Sequence, residues 1–155
     1  INILNNKYVS GDIIVSDPYG YAVTLEVIEM HTKKEYKFNG DDIESVMLNI
    51  IVNSNVGEQH SNKNIYDKAS LEYLFEQQAD AVKDSVYSIV EYAQKHNVDV
   101  LGFGKSLFQK HPVKWERIKD DWDSIFPNLK VDIDVKSRIL RTYDITQPNS
   151  MEDMK

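Results

Sequence analysis

The stretch Gly104-Lys105-Ser106 is the pattern in this chain that most invites a chemical reading, because Gly-Lys-Ser closes the loop that wraps phosphates in many nucleotide-binding proteins. That loop needs another Gly five positions before Gly104, so that successive amides can curl around the phosphates, and Asp99 stands there instead. A carboxylate beside phosphate has the wrong charge. Gly102-Phe103-Gly104 likewise opens a dinucleotide fingerprint, but its third glycine falls at Leu107 and the segment follows a helical stretch instead of a strand. The plainer reading is two glycines at a tight helix-to-helix connection. The histidines, His31, His60, His96 and His111, lack the i, i+4 partner and Glu of a helical zinc site and are read as structural or surface residues. Asp120, Asp121 and Asp123 lack the alternating oxygen ligands and central Gly of a calcium loop and read as a solvated helix face. No Gly-x-Ser-x-Gly elbow is present. The expectation is a domain with no catalytic residues, no cofactor and no metal.

Composition narrows the class further. The chain has 155 residues, 41% of them hydrophobic and 28% charged, which fits one globular domain. Eighteen basic against 25 acidic residues give a net charge of −7, which repels a phosphate backbone, so nucleic acid is not an expected partner. With no Cys, disulfides, thiolate nucleophiles and Cys-based metal sites are excluded. The chain opens at Ile1 with neither a basic stretch nor an apolar signal segment, and is read as a piece of a longer protein. Its densest apolar run, Val46 to Val52, is far shorter than the ~20 residues that cross a bilayer.

The elements that must position any site follow from periodicity. Val23, Leu25 and Val27 alternate with polar residues, as do Val46, Leu48, Ile50, Val52 and Val56, and both runs are read as strands, the second the longer. Asn39-Gly40-Asp41-Asp42 between them favours a turn. Val131, Ile133, Val135 and Ile139 form a third alternating run among charged residues. Between these strands, Leu71, Leu74, Phe75, Ala79, Val82, Val86, Ile89, Val90 and Ala93 step by threes and fours, predicting one helix from about Asp67, its N-cap, to Lys95. A short helix is expected around 105–110. A further one begins at Pro112, carries Trp115, Ile118, Trp122, Ile125 and Phe126 on one face, and ends at Pro127. The two indoles are read as core anchors pressing this helix onto the sheet, or alternatively as partly exposed markers of a docking surface. The fold class expected is α+β: a mainly antiparallel β-sheet packed on one face by a long helix and two shorter helices.

One segment is more specific than composition. Gln94 near the end of the long helix, the block Asp99-Val100-Leu101-Gly102-Phe103-Gly104, the His111-Pro112-Val113-Lys114-Trp115 start and the Trp122 to Phe126 stretch before Pro127 together resemble the C-terminal domain of the Ger(x)C family, the C subunits of spore germinant receptors. The closing strand through Arg141-Thr142 is similar to the family's last strand, except that Tyr143 stands where the family commonly has Gly. Residues 1–20 match less clearly and are read as a lead-in or linker, 21–143 as the domain, and 144–155 as a frayed tail.

The resemblance implies a non-catalytic domain of a lipoprotein subunit that acts in nutrient-triggered germination through its A and B partner subunits. It implies anchoring at the outer face of the spore inner membrane by a lipid-modified Cys upstream of this segment. The alternative reading is a domain that itself binds a small-molecule germinant. Within the motif the roles expected from the residues are mechanical. Gly102 and Gly104 permit chain reversal or close approach, and Asp99 caps the helix that follows or accepts from loop amides.

Overall fold

The computed structural model describes residues 11–142, which form a four-stranded sheet with helices on one face. The strands are β1 (Gly11–Ser16), β2 (Ala22–Asn39), β3 (Asp42–Gln59) and β4 (Lys130–Thr142), in the order β1-β2-β3-β4. The first three pair antiparallel, whereas β4 runs parallel to β3. Parallel neighbours require a crossover. Residues 60–129 supply it and contain every α-helix of the described residues: α1 (Lys68–Lys95), α2 (Phe103–Lys110), α3 (Pro112–Ile118) and the single turn α4 (Trp122–Ile125). This is the α+β architecture expected from the sequence.

Three details depart from the sequence reading. The expected lead-in over 1–20 does not anticipate β1, whose Ile13 and Val15 are buried on the core face while Ile14 between them is exposed. The expectations for Tyr143 and for the tail from 144 lie outside the described residues. Strand β2 does not stop near Val27 and equals β3 at 18 residues. A bulge between Val27 and Glu29 moves the inward face from odd to even positions, so that Met30, Thr32, Lys34, Tyr36 and Phe38 continue it. Finally, the helix from Pro112 is not continuous. It breaks at a 3₁₀ turn over Lys119–Asp121 and ends in another over Phe126–Asn128.

Helix α1 begins where expected, with the Asp67 carboxylate accepting from the Ser70 amide at 3.0 Å and the Ser70 hydroxyl at 2.7 Å. Its buried stripe runs Leu74, Gln78, Val82, Val86, Val90 and Ala93 against Leu25, Leu48, Ile50 and Val52 of the sheet. Gln78 is fully buried in that stripe and both ends of its amide are used. Nε2 donates to Ser54 Oγ on β3, and Oε1 accepts from Ser137 Oγ on β4 at 3.0 Å. One polar side chain thus pins α1 to the two parallel strands at a single register. Gln78→Ala, which leaves both hydroxyls unpaired, is expected to lower stability by about 2–4 kcal/mol in urea unfolding. Gln78→Leu combined with Ser54→Ala and Ser137→Ala is expected to recover most of the loss.

The turn from β1 to β2 is organised by buried Asp17, which accepts from the Tyr19 and Tyr21 amides at 2.9 Å each and from Ser61 Oγ, beyond β3, at 2.8 Å. Burial alone pushes this carboxyl up, but the donors from Tyr21, Ser61 and Tyr19 outweigh it and hold the pKa below 3.8. A pKa depressed in the folded state adds stability that is complete above the ordinary value and lost as pH falls through the folded one. The advantage of the wild type over Asp17→Asn in thermal melts is therefore expected to be full at neutral pH and to shrink below pH 3.8.

Candidate functional site

The motif residues converge on one corner, where α1 ends and α2 and α3 fold against the far half of β2. Helix α1 closes with Asn97 at φ 51 and with the Val98 amide donating to Ala93 O at 2.9 Å. Asp99 follows. Its Oδ1 accepts from the Phe103 amide at 2.9 Å and its Oδ2 from the Gly104 amide at 2.8 Å, so one carboxylate satisfies two first-turn amides of α2. The Gly102 amide donates back to Asp99 O at 3.1 Å, and Gly102 takes φ 65, the left-handed region that L side chains avoid.

The two glycines serve different purposes. A Cβ on Gly102 would meet nothing closer than Lys34 Nζ at 4.0 Å, so its demand is conformational. A Cβ on Gly104 would lie 2.9 Å from Trp115 Cη2 and 3.1 Å from Trp122 Nε1, so its demand is space. The indoles meet edge-on, 5.4 Å between ring centroids and 68° between planes. They clamp α2 at Gly104 and do not press a helix onto the sheet as expected, because the break after Ile118 turns α3 and α4 toward α2. Trp122 also packs on Phe126 at 5.9 Å, and Phe126 on Phe103 at 6.2 Å, both phenylalanines being fully buried.

Two residues of β2 to which the sequence reading assigned no role complete the corner. Lys34 Nζ donates to Leu101 O and lies over the Phe103 ring at 5.6 Å, while Tyr36 OH donates to Phe103 O at 3.1 Å. Burial holds the Lys34 ammonium below the usual lysine range, opposed by nearby Asp99, and pushes the Tyr36 hydroxyl up to about 12. Their signal was the alternation Thr32, Lys34, Tyr36, Phe38, hidden by the parity change at the bulge. Gln94 Nε2 donates to Phe126 O at 3.0 Å and Leu129 O at 2.7 Å, holding the exit from α4, and Pro112 occupies the first turn of α3. The His111 ring meets those of Tyr36 and Phe38 in T-shaped contacts, at 5.9 and 5.2 Å between centroids.

All ten motif residues, Gln94, Asp99, Leu101, Gly102, Phe103, Gly104, Pro112, Trp115, Trp122 and Phe126, thus meet in this corner, and the polar side chains among them bond to backbone. Of the amides that a phosphate would use at Gly104-Lys105-Ser106, that of Gly104 is already held by Asp99 and that of Ser106 by Gly102 O at 3.0 Å. Asp120, Asp121 and Asp123 are exposed, and among the described residues no cluster of His, Asp and Glu suited to a metal ion occurs.

Residues 1–143 match the family model described as spore germination B3/GerAC like, C-terminal. The chain belongs to this family. It is the Ger(x)C C-terminal domain that the motif resembles. Spore germination protein KC of Bacillus subtilis (strain 168) is 37% identical over 54 residues, 34% of this chain and 13% of that protein. The crystal structure of the GerBC protein superposes with a TM-score of 0.74 over 90% of this chain and 43% of that one. At 17% identity that likeness speaks for the fold alone. The chain spans less than half the length of either relative.

Substitutions at the two glycines separate their roles in thermal unfolding. Gly102→Asn, a residue that tolerates the left-handed region, is expected to cost less than ~1 kcal/mol, and Gly102→Val about 2 kcal/mol or more. At Gly104 even Ala is expected to cost about 1–3 kcal/mol through overpacking against the indoles. An unchanged melting temperature in Gly102→Val counts against the turn described.

Proposed function

We propose that this domain is a non-catalytic interaction module of a germinant receptor C subunit, docking on the membrane-embedded A and B subunits during nutrient-triggered spore germination. The observation that carries this reading is the direction in which the motif spends its groups. Asp99, Gln94, Lys34 and Tyr36 point polar atoms into backbone, while Phe108 and Val113 of the neighbouring helices remain 55% and 68% exposed. Asp99, with both oxygens bonded to backbone amides, and Gln94, with its Nε2 on two carbonyls, are unavailable to act on a substrate, and exposed apolar side chains on helices suit a partner. Membership of the spore germination family supplies the process. No helix among the described residues is long and apolar enough to cross a membrane. Attachment in our reading comes from a lipid-modified Cys upstream, at the outer face of the spore inner membrane.

A second reading, a site for a small-molecule germinant, is favoured by the polar cleft between β2 and α2 lined by Lys34, Ser106, Gln109 and Lys110. Titration of the 155-residue chain against solubilised A and B subunits, with a germinant panel run in parallel by calorimetry, separates the two. Saturable binding to a subunit without germinant heat is expected. Germinant heat from the chain alone would assign it the sensing role instead.

A further inference from the structure

Two depressions flank α2 and share Asp99 and Lys105. The first, about 430 Å³, is an apolar notch formed by Phe108, Trp115 and Trp122 over Gly104. The second, about 480 Å³, opens toward β2 and brings Lys34, Lys105 and Lys110 to one place. The carboxylate they share is spent, since both Asp99 oxygens hold α2 amides. In a chain of net charge −7, this patch sets three ammonium groups against that single internally bonded carboxylate.

Lys33, Lys37, Lys114, Lys119 and Lys130 each lie within 4.0 Å of a carboxylate, whereas none of the ion pairs among the described residues includes Lys34, Lys105 or Lys110. Lys63, Lys83, Lys95 and Lys136 also lack an ion pair, but they are scattered, whereas here three such lysines line one cleft. Lys34 and Lys110 instead donate to backbone carbonyls, Leu101 O and Lys34 O, bonds to neutral groups, with Asp99 near Lys34 and Glu35 near Lys110 making no direct ion pair with them. The open face of the sheet offers the contrast. Its exposed Ile14, Ile28 and Ile51 are interspersed with ion pairs such as Lys33–Glu35 and Lys37–Glu44.

We infer that the outer face of α2 is the docking surface, and that it takes an acidic segment of a partner protein, with carboxylates in the lysine cleft and a large apolar side chain in the notch beside Phe108. An unpaired positive cleft next to an aromatic notch provides steering and register from one and a desolvated anchor from the other. The fixed position of α2, held by Asp99, Lys34, Tyr36 and the two indoles, means the surface is formed before the partner arrives.

This inference rests on the docking reading, and the test keeps the two apart. The wild-type chain is titrated against the solubilised A and B subunits at low and high salt, alongside Lys105→Glu/Lys110→Glu, Phe108→Ala and, on the open sheet face, Ile14→Asp. All altered side chains are exposed, and melting curves confirm folding. The lysine pair and Phe108→Ala are each expected to weaken binding about tenfold or more, high salt to weaken it further, and Ile14→Asp to leave it unchanged. Undiminished binding by the lysine and Phe108 variants, or loss confined to Ile14→Asp, overturns this surface while leaving docking intact. Absence of wild-type binding to either subunit overturns both.

Discussion

The structure depends on one carboxylate. Between the end of α1 and the start of α2 the chain must reverse direction within residues 96–102, against the far half of the sheet, and the first amides of α2 need an acceptor there. Asp99 provides both acceptors, and Gly102 supplies the left-handed step that lets it reach them. Once α2 is fixed, Phe103 enters the core, Gly104 comes under the indoles, and the carbonyls of Leu101 and Phe103 face Lys34 and Tyr36. Losing the carboxylate would therefore loosen contacts made by three other elements as well as one helix end.

The same economy explains why motifs that suggest chemistry in the sequence serve architecture in the fold. A Gly-Lys-Ser tail presents amides to phosphate only when nothing else holds them, and here an internal anion holds that of Gly104 and the Gly102 carbonyl that of Ser106. Side-chain amides are treated alike: buried Gln78 joins a helix to two strands and half-buried Gln94 holds the exit from α4, each by satisfying groups that would otherwise be orphaned. With its polar groups turned inward, the corner presents to solvent a set of lysines without ion-pair partners and an aromatic edge. In the reading we propose, this clustered positive charge beside an aromatic edge is what a partner meets.

Much of this was legible in the sequence, for identifiable reasons. Long periodic elements declare themselves, so α1 with its Asp67 cap, the core of β3 and the run of β4 were readable, and the spacing from Gln94 to Phe126 carried the family. Asp99 as a cap or an acceptor of loop amides, and chain reversal or close approach at Gly102 and Gly104, followed from residue type, but not which glycine meets which demand. What escaped depends on parity and contact across the chain. The bulge near Ile28 reversed the inward face of β2 and concealed Lys34 and Tyr36. Gln78 occupies a stripe position where an apolar residue was expected, because its partners, Ser54 and Ser137, lie on strands far apart in sequence. The helix break after Ile118 is unmarked by Gly or Pro, and it decides that the tryptophans face α2 and not the sheet. Strand β1 offered only Ile13 and Val15, too short an alternation to separate from a linker.

Native-state hydrogen exchange at the Phe103 and Gly104 amides tests the central role of Asp99 most directly. Both amides are expected to exchange at rates close to those set by global unfolding in the wild type, and much faster in a folded Asp99→Ala variant, while amides in the middle of α1 keep their protection. Fast exchange at Phe103 and Gly104 in the wild type, or unchanged protection in the variant, would contradict an α2 held in place by the Asp99 carboxylate.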